Sequence, residues 1–234
     1  MNITQGQLQI LGILLITCVV LIIGLAVILG SFAPKQIGLK SEFVKNNEEL
    51  DKLLVGENGN DLRENLKTSL LIDTFAFIPA YFLLFSLMIW FLSRQEFSWS
   101  KYTVISAIVL AVLTVCFDLS ENFHLYKCLE KTSESFAIIS WSTIGKWICF
   151  FGTTAIISIA FWRKHWIAGI GILYLLSSII GLILLYFVKT NSPDNDKITN
   201  LFQLPISLTI TLTLIVGAFF TFFSTNAEKI FNEK

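Results

Sequence analysis

The sequence predicts an all-α fold: a polytopic integral membrane helix bundle of about six transmembrane helices. Three observations lead there. The 234 residues are 54% hydrophobic and only 15% charged, and the mean hydropathy of +0.71 lies in the range of membrane proteins. Six runs reach the length of about 20 apolar residues that a helix needs to cross about 30 Å of hydrocarbon. Backbone groups in lipid must also bond within their own segment, so apolar runs of this length read as helices and not as open strands.

The six runs cover residues 8–29, 70–92, 102–125, 138–162, 167–188 and 204–223. The first resembles a secretory leader, with the small residues of LAVILGSFAP after an apolar stretch. That stretch is longer than a leader's, no Lys or Arg precedes it, and Pro34 follows Ala33, so an uncleaved first helix is expected. The chain reads as a single transmembrane domain, 1–234, with 32–69 as a polar extramembrane loop within it. In that loop EFVKNNEELDKLL puts Phe43, Leu50, Leu53 and Leu54 near one face of an amphipathic helix, which GENGN then breaks. The expectation is a short solvated cap on the membrane surface, favoured over a ligand-sensing element.

An even number of crossings places both termini on one side. Loops 93–101 and 163–166 share that side and carry Arg94, Lys101, Arg163 and Lys164 against Glu96 alone. The positive-inside rule then makes the termini cytoplasmic and the cell membrane the location, although lysines on the opposite side weigh against it. The remaining loops are short, so helices adjacent in sequence are expected to be adjacent in space. Thr209, Thr213, Gly217 and Thr221 recur every four residues along the sixth helix, and Ser177 and Gly181 repeat the spacing in the fifth. Small residues at that interval let helices approach closely and read as packing.

The formal net charge is zero, which gives no reason to expect a nucleic-acid partner. The bilayer is the expected partner, with a homo-oligomer or a membrane protein beside it. Cys18, Cys116, Cys128 and Cys149 are scattered without a C-x-x-C pair, so they read as small apolar packing residues and indicate neither a metal site nor a redox motif. No cofactor motif is present.

Charges inside the spans need an explanation, because burying one at mid-bilayer costs about 2.5–3.5 kcal/mol on insertion scales. Asp118, Glu121 and Asn122 fall on one face of the third helix, three and four positions apart. Ser142, Thr143, Lys146, Thr153 and Thr154 line a face of the fourth. In the second helix Asp73, Phe77 and Tyr81 share a face, and Pro79 leaves the carbonyl of Phe75 without a donor, which predicts a kink. Chain direction reverses at each crossing, so Asp73, Asp118 and Lys146 fall in the same half of the membrane. An Asp118–Lys146 pair is geometrically reasonable. The candidate ligand- or ion-binding residues are thus Asp73, Tyr81, Asp118, Glu121, Asn122 and Lys146, forming a hydrated polar pocket in the outer-facing half. The competing reading is a buried network that only fixes helix register. His124 lies nearer the membrane boundary. It is too far around the helix from Asp118 for a shared metal, and a histidine-rich site is not expected.

D-x-x-E-N followed by a lysine in the next helix, here Asp118, Glu121, Asn122 and Lys146, resembles a pattern in a family of uncharacterised multi-pass bacterial membrane proteins. The resemblance implies that these residues belong together and implies no activity. Three functions stay open on the residues themselves. The first is binding or transport of a cation, proton or small ligand, for which two carboxylates on one helix face are suited. The second is a non-catalytic accessory or assembly protein. The third is a lipid-modifying enzyme, with Glu121 or Asp118 as base and Lys146 balancing charge or holding a phosphate. No G-x-S-x-G, P-loop or H-E-x-x-H motif favours the third.

Overall fold

A computed structural model describes residues 3–32, 37–55, 62–94, 100–132, 135–162, 168–190 and 196–227. Its elements are α1 (Gln5–Phe32), α2 (Ile37–Ser41), α3 (Asn47–Leu54), α4 (Arg63–Ile72), a π-helical turn (Asp73–Phe77), α5 (Ile78–Ser93), α6 (Ser100–Leu129), α7 (Phe136–Trp162), α8 (Ala168–Thr190) and α9 (Asp196–Phe222). Among the described residues there is no strand. Six helices are long and apolar enough to cross a membrane, with α4, the π turn and α5 running on as one of them. The protein is an all-α integral membrane bundle. Its second span begins at Arg63, earlier than the hydrophobic run suggests, because Arg63–Ile72 is amphipathic and buries Leu66, Ser69 and Leu70.

Each span packs on its neighbours in chain order, and α9 returns to α1 and α1 to α5, so the six close a ring. The α1–α9 seam depends on glycine: a Cβ on Gly12 would lie 2.5 Å from Thr221 Oγ1 and 2.6 Å from the Gly217 carbonyl oxygen. The four-residue stripe of α9 is therefore an interhelical contact. Thr213 hydrogen-bonds Tyr174 at 2.7 Å, and Thr209 pairs with Ser177 at 2.9 Å across the α8–α9 seam. Near the terminal end of the ring, Phe91, Phe161, Tyr174 and Phe220 stack into a plug, with centroids 5.0–5.9 Å apart. Such aromatic pairs add about 0.5–1.5 kcal/mol each beyond their area.

The opposite end carries the cap, and here the structure departs from the expected surface helix. Ile37, Val44, Leu50 and Leu54 are buried with Leu66, Leu70, Leu125, Leu129 and Ile139 of the spans. Phe43 meets Phe202 of α9 edge-on at 6.4 Å. The cap thus lies across the mouth of the ring and is not merely solvated. Magnitudes explain why: each fully buried aliphatic chain stabilises by about 1.5–3 kcal/mol relative to exposure in water, whereas an exposed pair such as Lys52–Glu48 is screened by solvent and contributes little. Local chemistry sets where α3 begins. Asn46 accepts from Glu49 N at 2.8 Å, and Glu49 Oε2 accepts from Lys45 N at 2.8 Å, a reciprocal cap. GENGN, Glu96, Arg163 and Lys164 lie outside the described residues.

Candidate functional site

Three helical segments meet beneath the cap, two of them, α6 and α7, with the i, i+3, i+4 spacing that puts side chains in one column. α6 supplies Asp118, Glu121 and Asn122, and α7 supplies Thr143, Lys146 and Trp147. The π turn and α5 supply Asp73, Thr74 and Tyr81. Asp73 and Lys146 each lie ten residues from the cap end of their span and Asp118 eleven, about 15 Å deep at 1.5 Å per residue. The shared depth is what chain reversal predicts.

Lys146 is the hub. Its Nζ lies 2.9 Å from Glu121 Oε1, 3.1 Å from Asp118 Oδ1 and 3.1 Å from Glu42 Oε2. A lysine has three donors, and each here has a carboxylate within reach. The carboxylates are held further: Tyr81 donates to Asp118 Oδ2 at 2.8 Å, Thr143 to Glu121 Oε2 at 2.8 Å, and Trp147 Nε1 at 3.1 Å to the same Glu42 Oε2 that faces Lys146. Asp118, Glu121 and Lys146 are 5%, 1% and 6% exposed, so the pairing replaces hydration that the fold removes. A partial version would leave a buried charge uncompensated, at several kcal/mol.

Asp73 sits beside this cluster on different terms. Asn122 Nδ2 donates to Asp73 Oδ2 at 2.6 Å and reaches Thr74 Oγ1 at 3.1 Å. The π turn that carries Asp73 follows from Pro79. With no amide at position 79 the α-ladder cannot continue, and the Ile78 amide bonds the Asp73 carbonyl five residues back. The kink expected at Pro79 takes this form, and it turns Asp73 toward the ring interior, where it lines a cavity.

That cavity has a volume of about 710 Å³. Its polar wall holds Glu42, Asp73, Tyr81, Asp118, Glu121, Asn122 and Lys146; its apolar wall is formed by α1 from Ile22 to Gly30, and α9 adds Ile206 and Ile210 among the polar Gln203, Ser207 and Thr209. α1 and α9 touch at Gly12 and Gly217, and toward the cap both line the cavity. Ile23, Ala26 and Val27 on that wall are exposed.

All six residues singled out in the sequence therefore line one cavity and join one polar constellation. Ser142 and Thr143 do meet α6, through Ser120 at 3.1 Å and Glu121. Thr153 and Thr154 instead bond carbonyls of their own helix, at Cys149 and Phe150. Glu42 is the residue the sequence reading missed. It follows α2, where a charge in a polar loop carries no depth signal. Its own carbonyl lies 3.1 Å from the Thr143 hydroxyl, whose one proton is shared with Glu121 Oε2, so backbone and side chain both sit against α7. Burial pushes the Glu42 carboxyl above its ordinary range, the Lys146 ammonium opposes that, and Asp118 adds to it. His124 does not line the cavity; its Nδ1 is buried with no partner among the described residues. Among those residues no group of three His, Cys, Asp or Glu side chains is disposed to hold a metal ion. Comparison with family models, with curated proteins and with solved structures finds no match to this chain.

Proposed function

We propose that this integral membrane protein binds a small amphipathic ligand within the bilayer, its polar end at the Asp73–Asn122 and Lys146 groups and its apolar part along α1 and α9. One observation carries the reading: a cavity of about 710 Å³ inside a membrane bundle has one ionisable wall and, along α1, one aliphatic wall. Volumes of about 300–1,000 Å³ with a few convergent polar groups are characteristic of small-molecule sites. Binding is favoured over transport because the plug of Phe91, Phe161, Tyr174 and Phe220 lies between the polar groups and the terminal end of the ring. With the termini cytoplasmic, as the charges of loops 93–101 and 163–166 suggest, the polar end belongs to the outer-facing half of the cell membrane.

The test is native mass spectrometry of the protein released gently from membranes, compared with Ala26→Trp. Ala26 lines the cavity on its α1 wall, and an indole there fills the space beside it. Wild type is expected to carry a co-purifying small amphiphile and the variant to lose it. Equal occupancy of the two proteins would contradict the reading.

A further inference from the structure

The ligand's head group follows from a charge imbalance at the polar wall. Among the described residues four carboxylates line the cavity, Glu42, Asp73, Asp118 and Glu121, against one ammonium, Lys146. That lysine is already committed, with three carboxylates at 2.9–3.1 Å. An anionic head, whether phosphate or carboxylate, would have to displace one of them and would meet the others as like charges. Asp73 is the acid that Lys146 does not reach. Its carboxylate receives one neutral donor, Asn122 Nδ2, and no cation lies within ion-pair distance among the described residues. Asn122 is 5% exposed, lines the same cavity, and has no partner for its Oδ1 among the described residues, since both of its hydrogen bonds leave through Nδ2. Two acceptor atoms, Asp73 Oδ1 and Asn122 Oδ1, thus have no donor among the described residues.

The walls next to them are aromatic. Phe77, Tyr81, Phe85 and Phe150 line the cavity and form a run of ring contacts, with centroids 6.0, 6.2 and 5.2 Å apart in turn. Ring faces attract ammonium groups, most strongly where water is excluded. An alkylammonium satisfies all of these features at once: its N–H groups serve Asp73 and Asn122, its charge offsets the excess of carboxylates, and its carbon chain lies along α1 and α9.

Resting on the binding reading above, we infer that the cavity is selective for single-chain amphiphiles with a primary amine head, read by the Asp73 carboxylate and the Asn122 carbonyl oxygen beside the Phe77–Tyr81 rings.

The experiment is isothermal titration of the full chain in neutral maltoside micelles with dodecylamine, dodecanol and dodecanoic acid, which share a chain and differ in the head. Wild type is expected to bind the amine about ten- to a hundredfold more tightly than the alcohol, the range for a charge-assisted hydrogen bond, and the acid most weakly. Asp73→Asn is expected to remove the preference of amine over alcohol, and Asp73→Glu to keep part of it. Equal binding of amine and alcohol, or a preference for the acid, would overturn the head-group inference and leave ligand binding standing. Failure of all three to bind wild type would overturn both. The wild-type series decides the matter even where a variant does not fold.

Discussion

Glu42, in the turn that follows α2, places its carboxylate 3.1 Å from the Nζ of Lys146 in the middle of α7. A connecting segment and a membrane span thus share one ion cluster. The cap meets the bundle through this polar contact as well as through the apolar contacts of Leu50 and Leu54.

Removing the hub should be costly. Lys146→Met leaves Asp118, Glu121 and Glu42 facing one another without their cation, and breaking a buried pair from one side costs about 3–5 kcal/mol. Thermal unfolding in detergent should show a large fall in Tm for Lys146→Met. Adding Asp118→Asn and Glu121→Gln to it should recover much of the loss, since charge repulsion is then relieved. An unchanged Tm for the single variant would mean the cluster is not held as described.

Tyr81→Phe removes the donor to Asp118 Oδ2 and keeps the ring. Hydrogen bonds to charged groups contribute about 1.5–3 kcal/mol, so a moderate destabilisation is expected, smaller than that of Lys146→Met. The same unfolding measurement ranks the two.

Glycine substitutions should grade with the space around them. Gly12→Ala puts a Cβ within 2.5–2.7 Å of Thr221 and the Gly217 carbonyl, whereas a Cβ on Gly217 has 3.0 Å to Ile16 and one on Gly24 meets nothing within 4 Å. Overpacking costs about 1–3 kcal/mol. The expected order of Tm loss is Gly12→Ala, then Gly217→Ala, with Gly24→Ala close to wild type.

Glu42 gives the stability a pH dependence of definite sign. Burial raises its folded-state value above the ordinary 4.5. The native state therefore holds the proton more tightly than the unfolded chain does, and stability from this group is present below 4.5 and declines as pH rises through the folded value. Glu42→Gln, which keeps the shape and removes the titration, should flatten this slope. Its Tm relative to wild type should improve as pH rises from about 4.5 toward neutrality. Lys146, Asp118 and Trp147, which share its surroundings, are unchanged in that comparison. A difference independent of pH would show that Glu42 does not titrate in this way.

The bundle was legible because apolar runs and helical periodicity respond directly to the bilayer. The same periodicity put Asp118, Glu121 and Asn122 on one face and gave Lys146 the matching depth. Glu42 was not legible, since its partners are a hundred residues away and a charged loop residue looks the same whether solvated or inserted. The spacing of Leu50 and Leu54 marked an amphipathic helix, expected on the membrane surface, and said neither that its apolar face meets the spans nor that it brings an acid with it. The π turn was half visible: Pro79 foretold a disruption, and only the structure shows it as the extra residue that carries Asp73. The glycine at position 12 carried no signal alone, because its meaning lies in Gly217 and Thr221 on another helix.

The most direct test of ligand binding is photolabelling of the protein in native membranes with alkyl amine and alcohol amphiphiles bearing a mid-chain diazirine, followed by peptide mapping. The account predicts label on α1 near Ile22, Ala26 and Val27 and on α9 near Ile206 and Ile210, competed by excess unlabelled amphiphile and abolished by Ala26→Trp. Label spread over outward residues such as Ile172, Ile179 and Ile183 of α8, without competition, would contradict it.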